Sequence, residues 1–283
     1  MTQDQGLSAG ARPIAVRWEV WALLCGAAVA VGIGTIARGM IGVPEWVFNT
    51  ENLWSALPLA LPFLVAAGVM AGMGRWPAAK AWLATGAALI ALSGAFAVAM
   101  DVTFSLMVTG TGIEGTNGWL PIVGTLLGAS SAIGYSVLAI GIWRSVSWAW
   151  GGLRAAAAVG VGLIVMLAAA GPVVTTALTL DGTSAFPYVL TTGLTTASIA
   201  PGALAVAAIR AAPARTPLPE LFIAAGATIH AVIYGGWWWV LGTIGPDGVG
   251  SLWLTLANPL SYAALLAIAL GFASGALFWP AED

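Results

Sequence analysis

The stretch Ala81 to Thr109, AWLATGAALIALSGAFAVAMDVTFSLMVT, decides the fold. A bilayer-spanning helix needs about 20 mostly apolar residues, and this run exceeds that. It carries a single carboxylate, Asp101, with apolar sequence on both sides. Seven further runs share the length and the apolar character, and few of them carry a charge.

Working outward, the whole chain follows the same rule. Of its 283 residues 60% are hydrophobic and only 7% charged, whereas soluble domains carry roughly 25% charged residues. An ordinary water-soluble domain is excluded. The net charge of -2 provides no basic field for nucleic acid. The single cysteine, Cys25, sits inside an apolar run, so no disulfide framework exists. One histidine, His230, rules out bis-histidine haem and argues against a metal site built on histidines. No metal or other cofactor is expected. The fifteen tryptophans gather near the ends of the apolar runs, where amphipathic rings settle at a membrane interface.

Eight segments are long enough to span: 18–38, 53–73, 81–103 (extending to 109), 119–143, 153–178, 187–210, 220–244 and 251–279. The runs are continuous rather than alternating, which excludes a β-barrel. Helices alone then satisfy every backbone group in lipid. The expected fold is an all-α polytopic bundle, a single transmembrane domain over 1–283, with residues 1–15 as a disordered cytoplasmic tail. The first run is too long for a cleaved signal peptide and reads as a retained anchor. Residues Gly39 to Asn52 suggest a short interfacial helix.

Basic residues set the orientation. Arg12 and Arg17, Arg75 and Lys80, Arg144 and Arg154, and Arg210 and Arg215 all fall on one side if the spans form four up-down hairpins. Only Arg38 falls on the other. By the positive-inside rule both termini are cytoplasmic, and the cell membrane is the expected location. The outer connections are acidic, through Glu45, Glu51, Glu114, Asp181 and Asp247. Small-residue pairs four apart, Gly68/Gly72, Gly124/Gly128 and Gly271/Gly275, are candidates for close helix packing, and their recurrence hints at a duplicated hairpin.

Polar side chains inside spans are the candidates for function, because a charge at the bilayer centre costs about 2.5–3.5 kcal/mol. Asp101 comes first, as a catalytic acid, a cation or proton carrier, or an interfacial carboxylate paired with Arg38. His230 has Tyr234 one turn along the same helix face and Trp238 beyond it. Asn258 and Tyr262 flank Pro259. With Asp101, these define the candidate substrate-binding set His230, Tyr234, Trp238, Asn258 and Tyr262. Threonines 175, 176, 191, 192, 195 and 196 lie near Pro172 and Pro201, where proline frees backbone carbonyls. Nearly all these groups lie in the outer half, so a polar cavity is expected to open outward.

Gly128-Ala129-Ser130-Ser131, with His230 on a later helix, resembles the serine and histidine of rhomboid intramembrane proteases, whose signature is Gly-x-Ser-Gly. Here Ser131 stands in the last place, and the two helices run in opposite directions, so the resemblance is set aside. Nucleotide-binding loops, His-Glu-x-x-His and diphosphate-binding acidic motifs are missing. Three readings remain: a small-solute transporter or permease component, a metal-free membrane enzyme such as an acid-initiated prenyl (terpene) cyclase, and a structural or accessory subunit. The lipid bilayer is the one partner the sequence demands; a small-molecule or lipid-soluble substrate completes the first two readings.

Overall fold

The computed structural model describes residues 17–41, 50–108, 116–146, 152–179, 186–213, 217–244 and 246–278. Among these residues the structure is helical throughout, with no strand. In chain order the helices are α1 (Trp18–Ile41), α2 (Thr50–Ala56), α3 (Leu61–Gly72), α4 (Lys80–Val108), α5 (Thr116–Ser145), α6 (Gly152–Thr179), α7 (Phe186–Ala211), α8 (Leu218–Ile244) and α9 (Pro246–Phe278). Among the described residues seven segments are long and apolar enough to cross a membrane, and Ser198–Ala211 of α7 is a shorter apolar stretch. Residues 42–49, the greater part of the interfacial helix expected over Gly39 to Asn52, lie outside the described residues, as do the tail 1–16 and most of the outer acidic residues.

The second span is not the continuous helix expected over 53–73. It runs as α2, a 3-10 turn at Leu57–Ala60, α3 and a second 3-10 turn at Met73–Arg75. Pro58 and Pro62 are the physical cause, since neither offers an N–H to the helical ladder and each ring crowds the preceding turn. Pro172, Pro201 and Pro259, by contrast, leave α6, α7 and α9 continuous.

The packing has a two-fold pattern. Six helices close a ring in the order α3, α4, α5, α7, α8, α9 and back to α3. α1 packs outside on α3 and α4, and α6 packs outside on α7 and α8. Exchanging α1 with α6, α3 with α7, α4 with α8 and α5 with α9 reproduces every one of these neighbours. The register agrees. A Cβ on Gly86 of α4 would meet Gly134 of α5, and one on Gly226 of α8 would meet Ala264 of α9. In the same register Gly141 lies against Trp82 and Ala79, while Gly271 lies against Ile223 and Pro219. Pro62 and Pro201 open matching buried faces, Val65, Ala66 and Val69 in one half and Leu204, Ala205 and Ala208 in the other. The described helices therefore form two similar halves, although the glycine pairs that hinted at duplication do not map onto one another under this exchange.

The peripheral helices expose Val29, Ile33 and Ile36 on α1 and Leu163, Ile164 and Leu167 on α6. Apolar surfaces of this extent suit hydrocarbon rather than water. Glycine contacts hold the ring together. Gly68 and Gly72 of α3 sit directly against the backbone of Ala269 and Phe272 on α9. The expected Gly124/Gly128 pair does not pack this way: Gly124 has only the Met100 sulfur nearby, and Gly128 faces open space. Gly275 lies outside the described side chains. Gly72→Ala should destabilise the protein by about 1–3 kcal/mol, because its methyl would overlap the Phe272 carbonyl. Gly128→Ala should change stability by less than about 0.5 kcal/mol. Unfolding in mild detergent followed by circular dichroism compares the two.

Candidate functional site

Polar groups are stacked in three layers through the bundle, named outer, middle and inner after the orientation expected from the sequence. The outer layer joins α1 to α4. Arg38 Nε and Nη2 donate to Asp101 Oδ1 at 3.2 and 2.8 Å. Asp101 lies about 31 Å along α4 from Lys80, at 1.5 Å per residue, so the pair sits near the outer end. Gly34 makes room for it, with Leu59, Ala56 and the Asp101 carboxylate all crowding the place of its missing side chain. The pairing of Asp101 with Arg38 is the arrangement expected for an interfacial carboxylate. Arg38 Nη1 and Asp101 Oδ2 are buried without a hydrogen-bond partner among the described residues.

The middle layer centres on His230, about 18 Å along α8 from Leu218. Its Nδ1 lies 3.0 Å from Ser261 Oγ on α9. The Tyr234 ring stands edge-on to the imidazole at 4.8 Å, and Tyr135 reaches across from α5 at 6.1 Å. Tyr135, His230 and Ser261 are buried, while Tyr234 is partly exposed. Tyr262 lies within range of both Tyr234 and the Arg38 charge, which links this layer to the outer one. Asn258, one turn before Ser261 and Tyr262, is exposed. Trp238 lies outside the described side chains, as do Thr175, Thr176, Thr191 and Thr192. The Thr195 hydroxyl is buried with no hydrogen-bond partner among the described residues.

This middle layer breaks the two-fold pattern. In the α4/α8 register His230 corresponds to Ile90, and in the α5/α9 register Tyr135 corresponds to Leu265. Ser261 corresponds to Ser131. Each half therefore keeps one apolar residue, Ile90 or Leu265, where the other half places a polar ring, the His230 imidazole or the Tyr135 phenol. The geometry also disposes of the protease resemblance. His230 pairs with Ser261, and Ser130 donates to the Leu127 carbonyl of its own helix.

The inner layer was not expected. Sequence reasoning left the inner half almost bare of working side chains, yet Arg75 Nε donates to Glu220 Oε1 at 2.6 Å. Glu220 is 1% exposed. The pair ties the turn after α3 to the start of α8, and so one half to the other. Opposite charges on two inner connections were its only sequence signal, and the topological role of Arg75 concealed it. Tyr135 was also missed, although a tyrosine in the middle of an apolar helix was a signal. Between the inner and middle layers the ring is filled by Leu83, Leu138, Ile142, Ile223, Ile268 and Phe272, all fully buried. Trp76 stands edge-on to Phe272 at 5.6 Å and completes the seal.

Among the described residues no cluster of His, Cys, Asp or Glu has the composition of a metal site. No protein-family model matches the chain, and neither a curated protein nor a solved structure matches it. What the fold and its composition define is a class: a multi-pass helical membrane protein.

The outer ion pair makes a direct prediction. Asp101→Leu alone leaves the Arg38 guanidinium partly buried and unpaired, and should cost about 2–4 kcal/mol, somewhat less than a fully buried pair. Adding Arg38→Met should recover most of that loss. Thermal unfolding of the three proteins in detergent measures both effects.

Proposed function

We propose that the chain is a small-solute transporter or permease component of the cell membrane, with eight spans, cytoplasmic termini and a polar site reached from outside. The observation that carries this reading is the His230–Ser261 pair with Tyr135 and Tyr234, held between two similar halves near mid-membrane. Transporters built from repeats bind their solutes at such a place, where the halves meet. His230, Tyr234 and Tyr262 are the proposed solute contacts, with Asn258 and Trp238 towards the outer mouth. The Thr195 hydroxyl, Arg38 Nη1 and Asp101 Oδ2, which find no partner among the described residues, add polar groups that water or solute would satisfy. The apolar plug and the Arg75–Glu220 pair form the inner closure.

Asp101 then acts as an anchor between α1 and α4 rather than as an acid. Its pairing with Arg38 weighs against the prenyl-cyclase reading, which needs a protonated carboxyl facing an apolar pocket. That same pairing is what an accessory subunit would also have, so the test must separate movement from a static bundle.

In a Cys25→Ser background, Ser261→Cys should react with a membrane-impermeant maleimide added outside right-side-out vesicles. Weakening the inner closure with Glu220→Gln should raise its reactivity from the inside several-fold. A cysteine at 261 that stays unreactive from both faces in both backgrounds would eliminate transport and leave the structural reading.

A further inference from the structure

The two seams between the halves are related by the two-fold pattern, and they differ. At α3/α9 the helices touch backbone to backbone, Gly68 on Ala269 and Gly72 on Phe272. Their counterparts at α5/α7 are Ala139 for Ala269 and Ala207 for Gly68. There both alanines line a groove of about 370 Å³. That volume falls within the range of small-ligand sites. Its walls are almost wholly apolar: Ile140 and Trp143 of α5, Gly162 and Met166 of α6, and Ala203 and Val206 of α7. The groove extends about 12 Å along α7 from Ile199 to Ala207, most of the depth of one ~15 Å leaflet.

All three helices that line it carry an arginine at the same end. Arg144 follows Trp143 directly but stacks on Trp82 of α4 at 5.6 Å, which leaves Arg210 and Arg154 as the groove's cationic groups. Arg210 lies on the same face of α7 as Ala203 and Val206, and its guanidinium stacks on the Trp143 ring at 3.9 Å. Arg154 lies on the α6 face that continues through Ala158 to Gly162 and Met166. A slot for hydrocarbon capped by cationic groups matches one kind of molecule, an anionic membrane lipid. We propose that this groove binds a phospholipid with a phosphate-bearing anionic headgroup, its acyl chain lying between α5, α6 and α7. Neither of the proposed solute contacts nor the inner ion pair takes part, so the site is separate from the transport reading.

The wild-type protein provides the first test. It is reconstituted in phosphatidylcholine vesicles containing a minor fraction of phosphatidylglycerol with a diazirine in one acyl chain. After irradiation, adducts should concentrate on peptides carrying Ile140 to Trp143, Gly162 to Met166 and Val206. Adducts distributed instead over the exposed faces of α1 and α6 would overturn the proposal. So would crosslinks of the groove to a second copy of the chain. Native mass spectrometry after extraction from equal phosphatidylglycerol and phosphatidylcholine provides the second. Wild type should retain phosphatidylglycerol several-fold over phosphatidylcholine. Ala203→Trp, which fills the groove, should lose the bound lipid, and Arg210→Gln should bring the ratio towards one. Equal retention of both lipids by wild type, or undiminished retention by Ala203→Trp, would refute it.

Discussion

Hydrocarbon removes the usual reason for apolar helices to associate, since a leucine gains nothing by leaving lipid for protein. What remains is contact quality and the satisfaction of polar groups. This bundle relies on both. Glycines at 68, 72, 86, 134, 226 and 271 let backbones approach to distances that any side chain would prevent, and the many weak attractions so gained are summed along each seam. The polar groups then decide which contacts are specific. Arg38–Asp101 fixes α1 on α4, His230–Ser261 fixes α8 on α9, and Arg75–Glu220 joins the two halves.

The two-fold pattern gives these interactions a context. Two similar halves would by themselves produce a symmetric, featureless core, and the inner part of the ring is close to that. Chemistry enters where the symmetry fails. Ile90 and Leu265 keep one side of the ring apolar, while His230 and Tyr135 make the other side polar. Lys80 and Glu220 occupy matching positions with opposite charge, and only the second is drawn into a buried pair. Each departure is local and leaves the backbone pattern intact, because a change of side chain at a fixed register leaves the helix seams as they were.

Much of this was legible in the sequence. The apolar run lengths delivered the helices, with ends displaced by a few residues, because the bilayer dictates length more strongly than any propensity does. His230 with Tyr234 followed from helical spacing and from the cost of leaving polar groups in lipid, whereas Ser261 as the partner of His230 appeared only in the structure. The pairing of Arg38 with Asp101 followed from two opposite charges at one depth. The broken second span was readable in principle from Pro58 and Pro62, but proline in membrane helices often leaves the helix whole, as at Pro172, Pro201 and Pro259. The repeat was hidden because the packing conserves size and burial rather than residue type: Val65 and Leu204 match in space and not in letter. The glycine pairs misled at Gly124 and Gly128, since spacing alone does not say whether a neighbour is there to meet them.

The unequal seams have a mechanical consequence. Separating α3 from α9 would forfeit glycine-mediated backbone contact, whereas α5 and α7 meet through alanine and larger side chains beside an apolar groove. Any swing of one half relative to the other thus meets a stiff spine on one flank and a compliant fore-edge on the other. A bundle drawn from near-identical halves would in this way open like a book, about a single binding, instead of rocking evenly about its centre.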